Sequence, residues 1–297
     1  MTLTGSTSRV RLRTLLWATD FSSSSEAALQ YATAIARRYD SQIYMAHVIR
    51  PDSYQLVPPE AAGAALEQTR RYAEQQMGEM LISGRLHGIA HQVLLGEGDL
   101  WGVLSGMLAE HAVDLVVVGT HGRTGVRKLV LGSAAEEIFR LASCPVMTVG
   151  PKAAREVPEE TELQHILYAT DFTPAAERAA SYACSLAQEH QARLTMLHVV
   201  EETQRASAQN RTLLNSFFSR RLAELVPVGA ELWCAPGFIV ASGDAADGIL
   251  KTANEIGADL IVLGVRRSAN FPGHLPPATA YKVVCQARCP VLTIRGT

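Results

Sequence analysis

The sequence predicts an α/β fold: two doubly wound domains in tandem, each a parallel sheet with helices on both faces. Three observations carry this prediction. The chain has 297 residues, about twice the usual span of one hydrophobic core. It also repeats itself, since the stretch 15–49 reads against 166–200 at a constant offset of 151, with Asp20 on Asp171, Phe21 on Phe172 and His47 on His198. Finally, within each copy short apolar or β-branched runs alternate with helical patterns, as crossover units feeding a parallel sheet require.

The later part of the repeat runs at an offset of 145. Gly98-Asp99 matches Gly243-Asp244, Asp114 with LVVVG matches Asp259 with LIVLG, and CPVMTV at 144–149 resembles CPVLTI at 289–294. The change of six falls between Ile49 and Gly98, so the second copy is shorter there. Domain one is expected over 1–151 and domain two over 163–297. A Pro- and Glu-rich linker without apolar periodicity starts at Lys152 and ends near Leu163.

In the first copy the strands are expected near 14–19, 42–49, 91–96, 114–118 and 146–149, and the helices near 23–39, 60–86, 100–112 and 133–142. The run from Leu115 to Val118 lacks polar alternation, as a strand covered on both faces does. Ser23 with Glu26, and Ser133 with Glu136, have the spacing of capping boxes. In the second copy Thr173-Pro174 does a related job, with Pro at the first helical position where its missing N–H costs nothing.

Composition narrows the function. There are 13 basic against 14 acidic residues up to Gly150 and 14 against 15 after it, which excludes a nucleic-acid binder on charge. No apolar run approaches the roughly 20 residues of a membrane helix. Only Leu15, Leu16, Trp17 and Ala18 follow the basic start before Asp20, too few for a signal-peptide core, so a cytoplasmic location is expected. The five cysteines, Cys144, Cys184, Cys234, Cys285 and Cys289, form no CxxC pair and fit reduced thiols used as small apolar residues. Cys285 and Cys289 would share a helix face, but two ligands do not make a zinc site.

Two loops of the first copy suit a nucleotide, which in an open parallel sheet sits beyond the carboxyl ends of the strands, where strand order reverses. One follows strand one and carries Asp20. The other follows strand four and reads GTHGRTGVRKLVLGS from Gly119 to Ser133. Its glycines 119, 122 and 132 allow close backbone approach, and the helix it opens offers free N–H groups to an anion. Arg123, Arg127 and Lys128 add positive charge. The alternative is a tight turn with a Ser cap and solvated basic residues.

The pattern Gly-x2-Gly-x9-Gly-Ser after strand four, together with ATDFS at the end of strand one, resembles the universal stress protein family. The resemblance covers nearly the whole chain outside the N-terminal tail and the linker. It implies five parallel strands in order 3-2-1-4-5, with Asp20 and the Gly119 loop on opposite lips of one crevice. By analogy with ATP-binding members, Asp20 would bond the ribose or adenine side, Val48 would offer backbone groups to adenine, and Ala18 and Val118 would line the pocket. Gly119, Gly122, Gly132, Ser133 and Ala134 would surround ribose and phosphates. Arg123 and Lys128 are added from charge alone. The implied ligand is ATP, alone or with Mg²⁺. The resemblance further suggests an intramolecular pseudo-dimer of the copies through Val146–Val149 and Val291–Ile294, pairing of chains into a homodimer, and a protein partner of unknown identity.

The second copy departs from the pattern at the phosphate loop. Arg267 stands at Gly122, Pro277 at Gly132 and Ala278 at Ser133. A proline removes a backbone donor and fills the space a phosphate oxygen needs, so this copy is expected not to bind ATP in the family's manner. Arg266 and Arg267 would serve another anion, or form a solvated face or a contact with the partner domain. His121 lies in the glycine loop with no carboxylate partner identifiable from sequence, and is read as a loop histidine rather than a general base. His47 and His198 are read as buried, hydrogen-bonded residues. GEGDLWG from Gly96 resembles a dinucleotide fingerprint, but its last glycine is one residue late.

Three functions fit. The leading one is a nucleotide-binding stress-response regulator whose first copy binds ATP, with occupancy modulating domain pairing or partner binding. The rival is an enzyme of related fold that hydrolyses ATP or forms an adenylate, though the sequence has no GxxxxGK[ST], SGGxDS or HxGH. The third is a structural protein with a vestigial pocket.

Overall fold

The computed structural model describes residues 10–50, 58–120, 131–155, 162–201, 208–227, 230, 232, 234–265 and 278–296. The chain divides into two compact units, one formed by Leu12–Val157 and the other by Pro158–Thr297 together with Met1–Arg11. The amide of Val10 accordingly donates to Ser185 Oγ at 3.2 Å, within that second unit.

The first unit runs β1 (Thr14–Ala18), α1 (Ser23–Tyr39), β2 (Gln42–Ile49), α2 (Pro59–Ile82), β3 (His91–Glu97), α3 (Leu100–Glu110), β4 (Leu115–Gly119), α4 (Ser133–Leu141) and β5 (Val146–Val149). A 3₁₀ turn, Ala153–Arg155, falls in the expected linker. The second unit runs β6 (His165–Ala169), α5 (Pro174–His190), β7 (Arg193–Val200), α6 (Ala208–Glu224), β8 (Gly237–Ser242), α7 (Ala245–Ile256), β9 (Leu260–Val265), α8 (Ala278–Gln286) and β10 (Val291–Arg295). Within each unit the strands pair in parallel, in the orders β3-β2-β1-β4-β5 and β8-β7-β6-β9-β10. Each unit is therefore the doubly wound 3-2-1-4-5 sheet that the resemblance implies.

The apolar run at β4 is buried from Leu115 to Val118, as the absence of polar alternation requires. Asp114, just before it, works as a clamp: its Oδ2 accepts the amides of Arg13 at 2.7 Å and Thr14 at 3.0 Å. Asp259 does the same for Gln164 at 2.9 Å and His165 at 2.8 Å. A repeated aspartate thus fixes where the first strand of each copy starts.

Helix α1 buries small residues, Ser24, Ser25, Ala27, Ala28, Ala32 and Ala36, and so lies close to the sheet. The start of α1 leaves no room at Gly119, where a Cβ would stand 2.5 Å from the Ser24 carbonyl carbon and 2.7 Å from the Ser25 nitrogen. Gly264 meets the backbone of Ala175 and Ala176 in the same way. Beneath this corner Trp17 Nε1 donates to the Ser25 carbonyl at 2.7 Å, and in the second copy Tyr168 Oη donates to the Ala176 carbonyl at 2.6 Å.

Both expected capping boxes are corrected. Helix α1 is capped by Ser22, whose Oγ accepts the Ser25 amide at 3.3 Å, while Glu26 pairs outward with Arg85 at 3.2 Å. Helix α4 starts from Gly132, which is extended at φ −62 and ψ 148 and has no side-chain cap, so Ser133 is the first helical residue. Thr173 and Pro174 take the expected cap and first positions of α5. The fingerprint-like glycines are explained by packing: a Cβ at Gly96 would collide with Val103 and stand 2.9 Å from Met107 Cε, and Gly98 has φ +141.

Candidate nucleotide site

The strands of the first unit end together at the side where α1 and α4 begin. After β1 the chain turns sharply. Thr19 donates its amide to the Ala46 carbonyl at 2.9 Å and accepts the Phe21 amide on its hydroxyl at 2.9 Å. Phe21 is thereby held at φ 61, a left-handed conformation that is costly for a bulky residue and persists only when its neighbours enforce it. Asp20, half-buried, accepts the Ser22 amide on Oδ1 at 3.1 Å. A run of hydroxyls continues inward, because Ser25 Oγ donates to the Ser22 carbonyl at 2.8 Å and so must accept from Thr19 Oγ1 at 3.0 Å.

His47 closes this corner. Its Nδ1 lies 2.8 Å from the Thr19 carbonyl oxygen, and since a carbonyl only accepts, the proton sits on Nδ1. The ring packs on Phe21 with centroids 4.5 Å apart. The second copy repeats the construction with His198, Thr170 and Phe172. Both histidines are half-buried and hydrogen-bonded.

Val48 is placed by strand register. In a parallel ladder alternate residues turn their backbone groups to the same neighbour. Ala46 turns its carbonyl to Thr19, so Val48, two residues on, turns its amide and carbonyl to the same side, past the end of β1 where no strand remains to receive them. The side chains of Ala18 and Val118 stand in register on adjacent strands, Ala18 half-buried and Val118 buried.

On the other lip β4 ends at Gly119. Thr120 follows, fully buried, with its amide bonded to the Val149 carbonyl at 3.0 Å and its carbonyl accepting the Gly132 amide at 2.8 Å. This second bond ties the start of α4 to the end of β4. It also corrects the expectation that Gly132 offers its own N–H to a phosphate, since that donor is already spent. Among the described residues the amides of Ser133, Ala134 and Ala135, the first three of the helix, have no acceptor; the first intrahelical bond is from the Glu136 amide to the Gly132 carbonyl at 2.9 Å. These amides stand at the positive end of the α4 dipole.

Gly119 is likewise re-read, as its missing side chain makes room for α1. Gly122, Arg123, His121, Arg127 and Lys128 lie outside the described residues, as do Arg266, Arg267 and Pro277 of the second copy. Ala278 opens α8. Among the described residues no group of three or more His, Cys, Asp or Glu side chains could hold a metal ion, and no helix is long and apolar enough to cross a membrane. Cys184, Cys285 and Cys289 are buried and Cys144 and Cys234 half-buried, none of them in a disulfide; burial pushes Cys184 up to about 11 and Cys289 up to about 12.

The universal stress protein family model matches the chain twice, over residues 11–150 and 162–295. The chain belongs to the universal stress protein family. A universal stress protein of Mycolicibacterium smegmatis is 26% identical over 306 residues, covering 95% of this chain and 96% of its own length. A universal stress protein of Thermus aquaticus is 33% identical over 135 residues, covering 44% of this chain and 97% of its own. The crystal structure of a universal stress protein from Archaeoglobus fulgidus superposes with a TM-score of 0.69 at 20% identity over 95% of this chain and 98% of its own, which establishes the shared fold.

Sequence reasoning missed the Thr19, Thr120 and Asp114 contacts. Asp114 and Asp259 stood in the repeat as matched residues, and their pairing was the available signal for a structural role.

Proposed function

We propose that the chain is an ATP-binding stress-response regulator of the cytoplasm, whose first copy holds the nucleotide and whose occupancy modulates pairing of the two copies, pairing of chains, or binding of a protein partner. The observation that carries this reading is the unblocked start of α4. Ser133, Ala134 and Ala135 offer three amides at a helix N-terminus with no side-chain cap, tied beside the end of β4 and facing the switch point between β1 and β4. Asp20 and the outward-turned backbone of Val48 supply groups for ribose and adenine on the opposite lip, with Ala18, Val118 and Gly119 between. The residues present fit ATP, alone or as its magnesium complex, with Gly122 and Arg123 as further contacts. A pocket of this kind binds without needing a positioned general base, and slow or absent turnover follows.

Equilibrium titration of the purified chain with ATP tests it. One site per chain is expected, with turnover in Mg²⁺ far below the ordinary enzyme range of about 1–1000 per second. No binding, or rapid turnover without a partner, overturns the reading.

A further inference from the structure

The second copy carries a charged aromatic cluster at the carboxyl ends of β6 and β7 that the nucleotide reading does not use. Phe172 stands at φ 57, with its ring 4.7 Å from His198 and stacked at 18° on Phe218 of α6, centroid to centroid 5.9 Å. His198 and Phe218 are 4.3 Å apart, and Phe217 meets Phe218 edge-on at 5.1 Å. Arg221, almost a turn further along α6, lays its guanidinium over the Phe172 ring at 4.1 Å. The first copy has Tyr72, edge-on to Phe21 at 6.1 Å, where the second has a stacked Phe218.

The chemistry of this cluster is unspent. A guanidinium stacked by its face keeps its N–H donors in the plane, pointing outward as a fork that matches a carboxylate or phosphate. Arg221 is half-buried and among the described residues forms no ion pair, whereas its neighbour Arg220 pairs with Glu224 at 3.4 Å. Asp171, at the same strand end, spends Oδ1 on the Thr173 amide at 3.1 Å and hydroxyl at 2.6 Å. His198 donates from Nδ1 to the Thr170 carbonyl at 2.8 Å, which leaves Nε2 as the remaining polar atom of the ring. Beside the charge lies exposed aromatic surface, with Phe217 56% exposed. Fixed donors next to an open aromatic face suit a planar ligand with an anionic end.

We propose that this cluster is a binding site for a small aromatic oxyanion, carboxylate or phosphate, held bidentately by Arg221 with its ring against Phe217 and Phe218. It needs neither α8 nor the phosphate loop that the second copy lacks, and it stands or falls independently of ATP binding by the first copy.

Saturation-transfer NMR on the full chain tests it, with phenyl phosphate and benzoate as probes, inorganic phosphate followed separately by phosphorus NMR line broadening because it carries no carbon-bound proton, and Gly132→Pro as the background that weakens the first-copy site. Transfer to the ring protons of phenyl phosphate or benzoate is expected, and which of the two binds tighter assigns the oxyanion. Arg221→Gln should weaken the bound probe at least about tenfold, the effect of losing a charged hydrogen-bond pair. Phe217→Ala should weaken the aromatic probes but not inorganic phosphate. Circular dichroism and urea midpoints of the variants verify their folding. Absence of transfer with Arg221 intact, or transfer unchanged by Arg221→Gln in a folded chain, overturns the proposal.

Discussion

The two copies agree closely at one end of their crevices and part at the other. At the strand-one corner three devices are duplicated: a threonine hydroxyl holding a left-handed phenylalanine, a histidine bonded to that threonine's carbonyl, and a glycine whose missing Cβ admits the first helix. At the start of the last helix the first copy has Gly132, Ser133 and Ala134, and the second has Pro277, Ala278 and Thr279. The difference teaches which glycines serve packing and which serve the opening of α4. Gly119 and Gly264 are both retained because both touch a helix, whatever either copy binds. Gly132 has no such excuse in the second copy, and there the sequence gives way to proline.

The largest expected effect comes from moving the second copy's residue into the first. Gly132→Pro removes the amide bonded to Thr120, so α4 is no longer tied to β4, and ATP affinity should fall by about 10- to 100-fold in equilibrium titration. Two equal ATP sites per chain would break the comparison outright.

Gly119→Ala and Gly264→Ala should both destabilise, each by about 1–3 kcal/mol from overpacking against the first helix, as read from urea midpoints. A loss in only one copy would show that the glycines are not equivalent. A compensating swap should sharpen the same point. Gly96 makes room for Val103, whereas in the second copy the matching positions hold Ala241 and Gly248, and a Cβ at Gly248 would meet Val199. Gly96→Ala alone should cost about 1–3 kcal/mol, and adding Val103→Gly should recover part of it, less about 0.5–1 kcal/mol for glycine in a helix.

Removing either clamp, by Asp114→Ala or Asp259→Ala, should cost about 1 kcal/mol, with faster amide exchange at Thr14 or His165 respectively. The smallest effect separates the copies by pH. Burial, reinforced by Arg193, lowers the pKa of His165 below its ordinary 6.5 in the folded chain. The unfolded chain therefore binds the proton more readily, so this contribution to stability is present above about pH 6.5 and is lost as pH falls below it. The first copy has Thr14 at that position. Thermal melts should show the parent chain losing stability relative to His165→Thr as pH falls below about 6.5, and a difference between the two that does not change with pH would remove the assignment.

Much of this was legible in the sequence. The apolar runs and the repeat placed β2, β5 and α1 at their observed bounds, because a strand rich in apolar residues and a helix rich in alanine leave clear patterns. Cap positions were harder. Ser22 and Ser23 are chemically alike, and only the backbone conformation decides which hydroxyl turns back on the helix. Gly119 was also ambiguous, since a ligand and a neighbouring helix make the same demand for an absent side chain. Hydrogen bonds from main chain to main chain, such as that between Gly132 and Thr120, leave no trace in residue identity, and so the true set of open donors, Ser133 to Ala135, emerged only in three dimensions.

The corner beneath α1 has one last consequence. Trp17 is fully buried, its indole bonded to a carbonyl in the helix that Gly119 accommodates, while the second copy places Tyr168 there. At this corner a strong fluorophore stands in one copy and a dimmer ring in the other. With Trp101 and Trp233, the other two tryptophans of the chain, replaced by phenylalanine, the colour of Trp17 emission becomes a built-in signal for the first copy, one that needs no attached dye.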